Sequence, residues 1–420
     1  MKKTLILIYL LSAVGMSVGQ PRQRLTIIES YKLAQENYPL TKQRELIART
    51  KEYSLSNAAK GILPVITING QDSYQSAVTS IPVQSPEMDI EQLSKHQYKV
   101  YGEVAANLYD GGVIRNQKEL HRATAKIDEQ QLEVQLYQLK DRVNQMYFGI
   151  LLLDAQLEQN ELLKRDIHRG LRQVEARIAN GTALKSSGDV LQAEYLKSNQ
   201  RTIELKASRK AFADMLSLML AVSLDDSTVF DKPGPLPNNE EITRPELSLY
   251  QYQRDAINIQ NKTLATRTRP RLSLFFQGGY GRPAIDMLNN SPEAYYITGL
   301  RLNWTISGFY TLKKEKALLR IEQSNIDLQR ETFVHNTKVS MKSQSNEVTK
   351  FQDIMGSDDE IIRLRKKITE TASAQLENGV ITSNDYLREV MAEDQARQNM
   401  IMHEIQLLLA QYNLHTTAGT

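Results

Sequence analysis

The sequence predicts an exported α+β membrane protein, built as two copies of a β-hairpin followed by very long helices. Three observations carry that prediction: a start with the layout of an export signal, an internal repeat covering most of the chain, and heptad spacing sustained over unusually long tracts. The export signal spans residues 1–19. Lys2 and Lys3 give the positive start, Leu5 to Val14 is apolar, and Ser17 and Gly19 are the small residues that a signal peptidase prefers. The apolar run is shorter than the roughly 20 residues that span a bilayer, which favours cleavage over anchoring.

The 420-residue chain contains no cysteine, which excludes a disulfide scaffold, a thiolate metal site and an acylated N-terminal cysteine. Its formal net charge of +3 includes Lys2 and Lys3, so the mature chain is close to neutral. No basic run concentrates elsewhere, and a nucleic-acid partner is excluded on that ground. Beyond residue 19 no stretch is long and apolar enough for a membrane helix. Export then leaves the periplasm, the exterior or the outer membrane, and only a closed β-barrel can span the last.

The repeat divides the chain into residues 20–223 and 244–420, joined by 224–243, where Pro233, Pro235 and Pro237 alternate. That connection reads as a linker without elements. Each half opens with a helix that stops before a proline, at Ile62-Leu63-Pro64 and at Thr268-Arg269-Pro270. Hairpins follow at about 64–109 and 270–306, then long helices interrupted by turns at 179–189 and 377–385. In the strand Tyr98 to Tyr109, one face carries Tyr98, Val100, Gly102, Val104, Ala106 and Leu108, and the other Lys99, Tyr101, Glu103, Ala105 and Asn107. In Tyr295 to Ile306, Tyr296, Thr298, Leu300, Leu302, Trp304 and Ile306 oppose Tyr295, Gly299, Arg301 and Asn303. Period-2 runs of about 10 residues with aromatic ends suit transmembrane strands, and equally a soluble sheet with one wet face.

The helices decide between these. Leu132, Leu136, Leu139, Val143, Met146, Ile150, Leu153 and Leu157 are spaced 4-3-4-3-4-3-4, and the seam resumes at Ile167, Leu171, Val174 and Ile178. No proline lies between Gly112 and Asn180, so a single helix of about 65 residues and roughly 100 Å is expected. The last helix repeats the spacing at Gln398, Ile401, Ile405, Leu408 and Tyr412. Four strands cannot close a barrel, since membrane barrels begin at about eight, and unpaired edges are not tolerated in lipid. The chain must therefore complete a barrel with copies of itself. Two copies would give a filled interior, whereas three leave room for a pore.

Over essentially the whole mature chain, the sequence resembles the TolC-like outer-membrane efflux proteins. Leu25-Thr26-Ile27-Ile28-Glu29-Ser30-Tyr31-Lys32-Leu33-Ala34, with Asn37 and Pro39, is similar to that family's start. Leu108-Tyr109-Asp110-Gly111-Gly112 resembles its strand-to-helix motif, and Asn180-Gly181 through Asp189-Val190-Leu191-Gln192-Ala193-Glu194 its helical turn. The resemblance implies a homotrimer with a 12-stranded outer-membrane β-barrel, four strands per protomer, continued by a long periplasmic α-helical barrel of coiled-coil helices. It also implies a periplasmic adaptor (membrane fusion) protein docked on the helical tips and an inner-membrane transporter behind it. The second half departs from the pattern, because Trp304-Thr305-Ile306-Ser307-Gly308-Phe309 lacks the Asp-Gly-Gly ending.

A conduit needs no catalytic group or cofactor, and none assembles. The histidines at 96, 121, 168, 335, 403 and 415 show no ligand-like spacing and read as plain surface positions. Gly278-Gly279-Tyr280-Gly281 lacks the strand-to-helix context of a phosphate loop. The candidate gating and adaptor-docking residues are Asn180, Gly181, Asp189, Asn378, Gly379, Asp385 and Arg388. Asn-Gly tolerates the positive φ at which a helix stops, and Asp189 and Asp385 are placed to cap the returning helices. Repeated by symmetry, the same carboxylates would form a ring that favours cations. The resemblance implies a second acid three residues after the second-turn Asp, but Arg388 stands there, which puts a doubled acidic ring in doubt and allows a salt-bridged gate. The implied function is the outer-membrane channel of a tripartite efflux system, a passive exit duct for small solutes. Two alternatives stand beside it: the exit duct of a type I protein-secretion system, and an exported coiled-coil scaffold or adhesin without a pore.

Overall fold

A computed structural model describes residues 24–79, 92–237 and 241–420. The predicted signal peptide lies outside the described residues. The elements in chain order are β1 (Arg24–Leu25), α1 (Ile27–Asn37), α2 (Gln43–Ala59), β2 (Val65–Tyr74), β3 (His96–Tyr109), α3 (Val113–Tyr137), α4 (Leu139–Ala179) and α5 (Lys185–Leu220). There follow β4 (Val229–Phe230), α6 (Pro245–Thr266), β5 (Arg271–Arg282), β6 (Glu293–Asn303), α7 (Phe309–Glu377) and α8 (Ser383–Ala418). They form two compact units, and each unit draws on both sequence halves.

One unit comprises residues 24–38, 139–237 and 344–413. Thr26 starts α1 with a capping box: its hydroxyl accepts from the Glu29 amide at 3.2 Å, and the Glu29 carboxylate accepts from the Thr26 amide at 3.0 Å. The core gathers Leu25, Ile27, Val143, Tyr147, Phe148, Ile150, Leu216, Leu220 and Phe230 with Leu408 and Tyr412 of α8. The Tyr147 hydroxyl lies 2.7 Å from the carbonyls of both Leu25 and Asp231, clamping the parallel bridge between β1 and β4. Burial pushes that hydroxyl's pKa upward. Residues 228–231 of the segment read as a linker are thus docked on this core. Phe230 and Thr228 are buried, and the Thr228 carbonyl accepts from Arg209, itself paired with Asp154.

The other unit comprises residues 39–79, 92–138, 241–343 and 414–420. Its four-stranded antiparallel sheet has the order β2-β3-β5-β6, so the two hairpins join through β3 and β5, and β2 and β6 are the edges. Directly paired residues share a face. One face therefore collects Ile66, Val104 and Phe276 on one rung, Ile68 and Tyr296 on the next, then Val100 and Tyr280, with Leu274 and Leu300 on the other side. These apolar side chains stand in the open, Ile68 at 84% exposure. The opposite face carries Thr67, Glu103 and Gln277 on one rung and Asn69 and Tyr101 on another. Gly278, Gly279 and Gly281 lie within β5, where a side chain at Gly279 would meet Tyr101 Cβ at 2.5 Å. They are a close strand contact, not a phosphate loop.

Below the sheet α3 packs on α2 and α6. Arg244 is ion-paired to Glu246 in a buried setting and faces the rings of Tyr137 at 4.9 Å and Phe333 at 5.8 Å. The heptad seam is largely buried, including Leu132, Leu136, Leu139, Val143 and Ile150. The expected single helix, however, is two, of 25 and 41 residues, separated by Gln138. Leu132, Val134, Leu136, Tyr137 and Leu139 are all buried there. Gln138 keeps αR dihedrals and its amide donates to the Val134 carbonyl at 3.3 Å, so the interruption is a single residue. By contrast, α7 runs 69 residues without interruption.

Candidate functional site

Both helical turns close in the same way. At the first, Gly181 has φ +71°, its amide donates to Ile178 at 3.0 Å, and the Thr182 amide donates to Arg177 at 2.8 Å. At the second, Gly379 has φ +75°, its amide donates to Leu376 at 3.1 Å, and Val380 donates to Gln375 at 2.8 Å. This paired pattern satisfies the last helical carbonyls and needs a residue that tolerates positive φ. Asn180 and Asn378 sit one residue earlier, and Asn378 Nδ2 also donates to the Ala374 carbonyl at 2.8 Å.

The restarts differ. Thr382 is the N-cap of α8: its hydroxyl accepts from the Asp385 amide at 3.2 Å and donates to the Asp385 carboxylate at 2.7 Å. Asp385 is therefore the third residue of the helix and not the cap itself. Donation by the Thr382 hydroxyl and amide, with the nearby Arg388 charge adding to it, holds its pKa below the ordinary carboxylate range. Asp189 does not cap α5. That helix begins at Lys185 behind Leu184, which offers no side-chain bond, and Asp189 is its fifth residue, exposed on the surface. The two extra residues of the first turn are taken up as helix, which carries Asp189 past the N-terminus.

Arg388 does not bridge to Asp385 within the chain. Its Nε pairs with Glu389 at 3.2 Å, and Glu389 also receives Arg365 of α7 at 3.5 Å. Arg177, which the sequence did not single out, ties the turns together. One guanidinium nitrogen donates to the Leu376 carbonyl at 2.7 Å and another to Thr182 at 3.3 Å, directly against Gly379. A basic residue in a helix's last turn is the only signal that pointed to it.

Behind the turns, Leu163, Ile167, Leu171, Val174, Leu191, Leu376 and Val390 pack around Tyr386. Its buried hydroxyl reaches the Asp166 carbonyl at 3.3 Å, and burial pushes its pKa up to about 12. Farther along the same helices Gln159 donates to the buried Asp394 carboxylate at 2.9 Å. Burial raises the pKa of Asp394, and likewise that of Asp166. His403 is not a plain surface position: its Nδ1 lies 2.8 Å from the buried Asp358 carboxylate, linking α8 to α7. Among the described residues no cluster of metal-ligating side chains is present.

On the polar face of the sheet, Arg301 reaches across β5 to Glu103 with contacts of 2.8 and 3.3 Å, its guanidinium 4.5 Å from the Phe275 ring centre. The link joins one hairpin to the other. At the helix side of the sheet, Asp110 accepts from the amides of Gly112 at 2.8 Å and Ile114 at 2.7 Å, so the Asp-Gly-Gly motif is the N-terminal cap of α3. Among the described residues no helix is long and apolar enough to cross a membrane.

Residues 31–222 match the model of the outer membrane efflux protein family. The fold is similar to that of several solved outer-membrane channels. OprN is 13% identical with a TM-score of 0.68, covering 94% of this chain and 89% of that one. VceC from Vibrio cholerae is 12% identical with a TM-score of 0.64, covering 94% and 96%. The open-state MtrE channel of Neisseria gonorrhoeae is 13% identical with a TM-score of 0.62, covering 94% and 88%. No curated protein matches the chain by sequence. The family model thus covers the first of the two repeats, and the wider likeness to these channels, at 12–13% identity, is one of fold.

Proposed function

We propose that three copies of this chain form the exit duct of a tripartite efflux system, passive in itself and energised by an inner-membrane pump through a periplasmic adaptor. The observation that carries this is the sheet. It exposes a continuous apolar face, and its edges β2 and β6 have no partner within the described chain. In lipid every backbone polar group needs a partner, so β2 of one copy pairs with β6 of the next. Three copies give twelve strands with Glu103 and Arg301 on the inner face. The long helices continue the duct through the periplasm, and the turns around Gly181 and Gly379 form its inner end. The adaptor docks there. The low pKa of Asp385 keeps it ionised, and three-fold repetition sets a ring of three carboxylates with Arg388 beside it.

Purified protein in planar bilayers tests this. The expected result is a heat-labile trimer with single-channel conductance and mild cation preference, and Asp385→Ala reduces that preference several-fold. A protein that inserts without conducting would sink the duct. Unchanged selectivity and closure in the variant would remove Asp385 from the gate.

A further inference from the structure

The apolar face of the sheet ends in a rim whose two lysines have no ion-pair partner among the described residues. Strand pairing brings the segments together: Arg271 pairs with Asn303, and Leu272 with Tyr109. Trp304 Nε1 donates to the Thr268 carbonyl at 3.0 Å, fixing the indole at this edge. Leu108, Leu302, Trp304, Ile306 and Phe309 are all exposed here, and Tyr310 is 83% exposed. Lys313 and Lys314 follow at i+3 and i+4 from Tyr310, on the same face of α7. Both are exposed, and neither is ion-paired among the described residues. The neighbouring acid, Glu315, is engaged by Arg267 at 3.0 Å.

The rim sets exposed apolar and aromatic groups directly beside two adjacent cations. An anionic phospholipid matches both parts, with acyl chains for the apolar band and a phosphate for the cations one helical turn beyond it. Aromatic rings at headgroup depth mark the same boundary. We propose that this rim binds an anionic phospholipid of the periplasmic leaflet, with its phosphate on Lys313 and Lys314 beside the Tyr310 hydroxyl and its chains along Leu302 and Trp304. The proposal rests on the membrane-channel function above.

The test uses the full chain reconstituted in vesicles of phosphatidylcholine alone or of equal parts phosphatidylcholine and phosphatidylglycerol. Channel conductance is recorded, and retained lipid is measured by native mass spectrometry after mild extraction. The wild type is expected to retain phosphatidylglycerol over phosphatidylcholine, and K313Q/K314Q to lose about 30-fold of that preference at low salt, from about fivefold per lysine. The same substitutions at Lys366 and Lys367, in the other unit, leave the preference unchanged. Equal retention by K313Q/K314Q and wild type, or no preference in the wild type, overturns the lipid site while a conducting channel keeps the duct. A chain that neither inserts nor conducts overturns both.

Discussion

Gly170 has no room for a side chain, because a Cβ there would lie 2.5 Å from Cε1 of Tyr386. The aromatic ring has no open side to move into, being 2% exposed. Gly170→Ala is therefore expected to loosen α4 from α8 by about 1–3 kcal/mol despite alanine's better helix propensity. Faster amide exchange around residues 166–174 and 383–390 would register it. Slower exchange would show that the ring yields freely. Asp394 gives the complementary case. Burial raises its folded pKa above the unfolded value, so the ionised form is disfavoured in the fold, and stability grows as pH falls through the raised value. The groups around it are Gln159 on α4, Gln398 and Arg397 on its own helix, and Asp166. Asp394→Asn keeps an acceptor for Gln159 and removes the titration. It is expected to protect α4 and α8 amides more than wild type at neutral pH, with the two converging in acid. A variant less protected than wild type at neutral pH would mean that the charge itself holds the helices together.

At the scale of elements, the caps and turns carry the local instructions. Asp110 satisfies two amides at the start of α3, so Asp110→Ala should cost about 0.5–2 kcal/mol and increase amide exchange in residues 112–116. A change confined to other segments would speak against the cap. The Asn-Gly turns and the strand faces were legible because each depends on local chemistry: positive φ in one case, period-2 alternation in the other. What depends on tertiary neighbours was not legible. Glu103 and Arg301 stand on the polar faces of their strands in the sequence, but their pairing requires β3 beside β5, which no local pattern specifies. Asp189 misled because the longer first turn is partly helix. His403 meets Asp358 across 45 residues, a distance that ligand-spacing rules do not cover.

At the scale of the whole molecule, the central claim is that the sheet closes between copies. Within one sheet β2 and β6 are three strand spacings apart, about 14 Å, beyond a disulfide's reach. The chain has no cysteine, so introduced pairs report without background. Thr67→Cys on β2 can be combined in turn with Tyr295→Cys, Ile297→Cys or Gly299→Cys on β6, all on the polar face. The prediction is that one register oxidises to a ladder of dimer and trimer that stops at three. No crosslink in any register, or a ladder that ends at two or runs past three, would contradict a barrel shared by three copies.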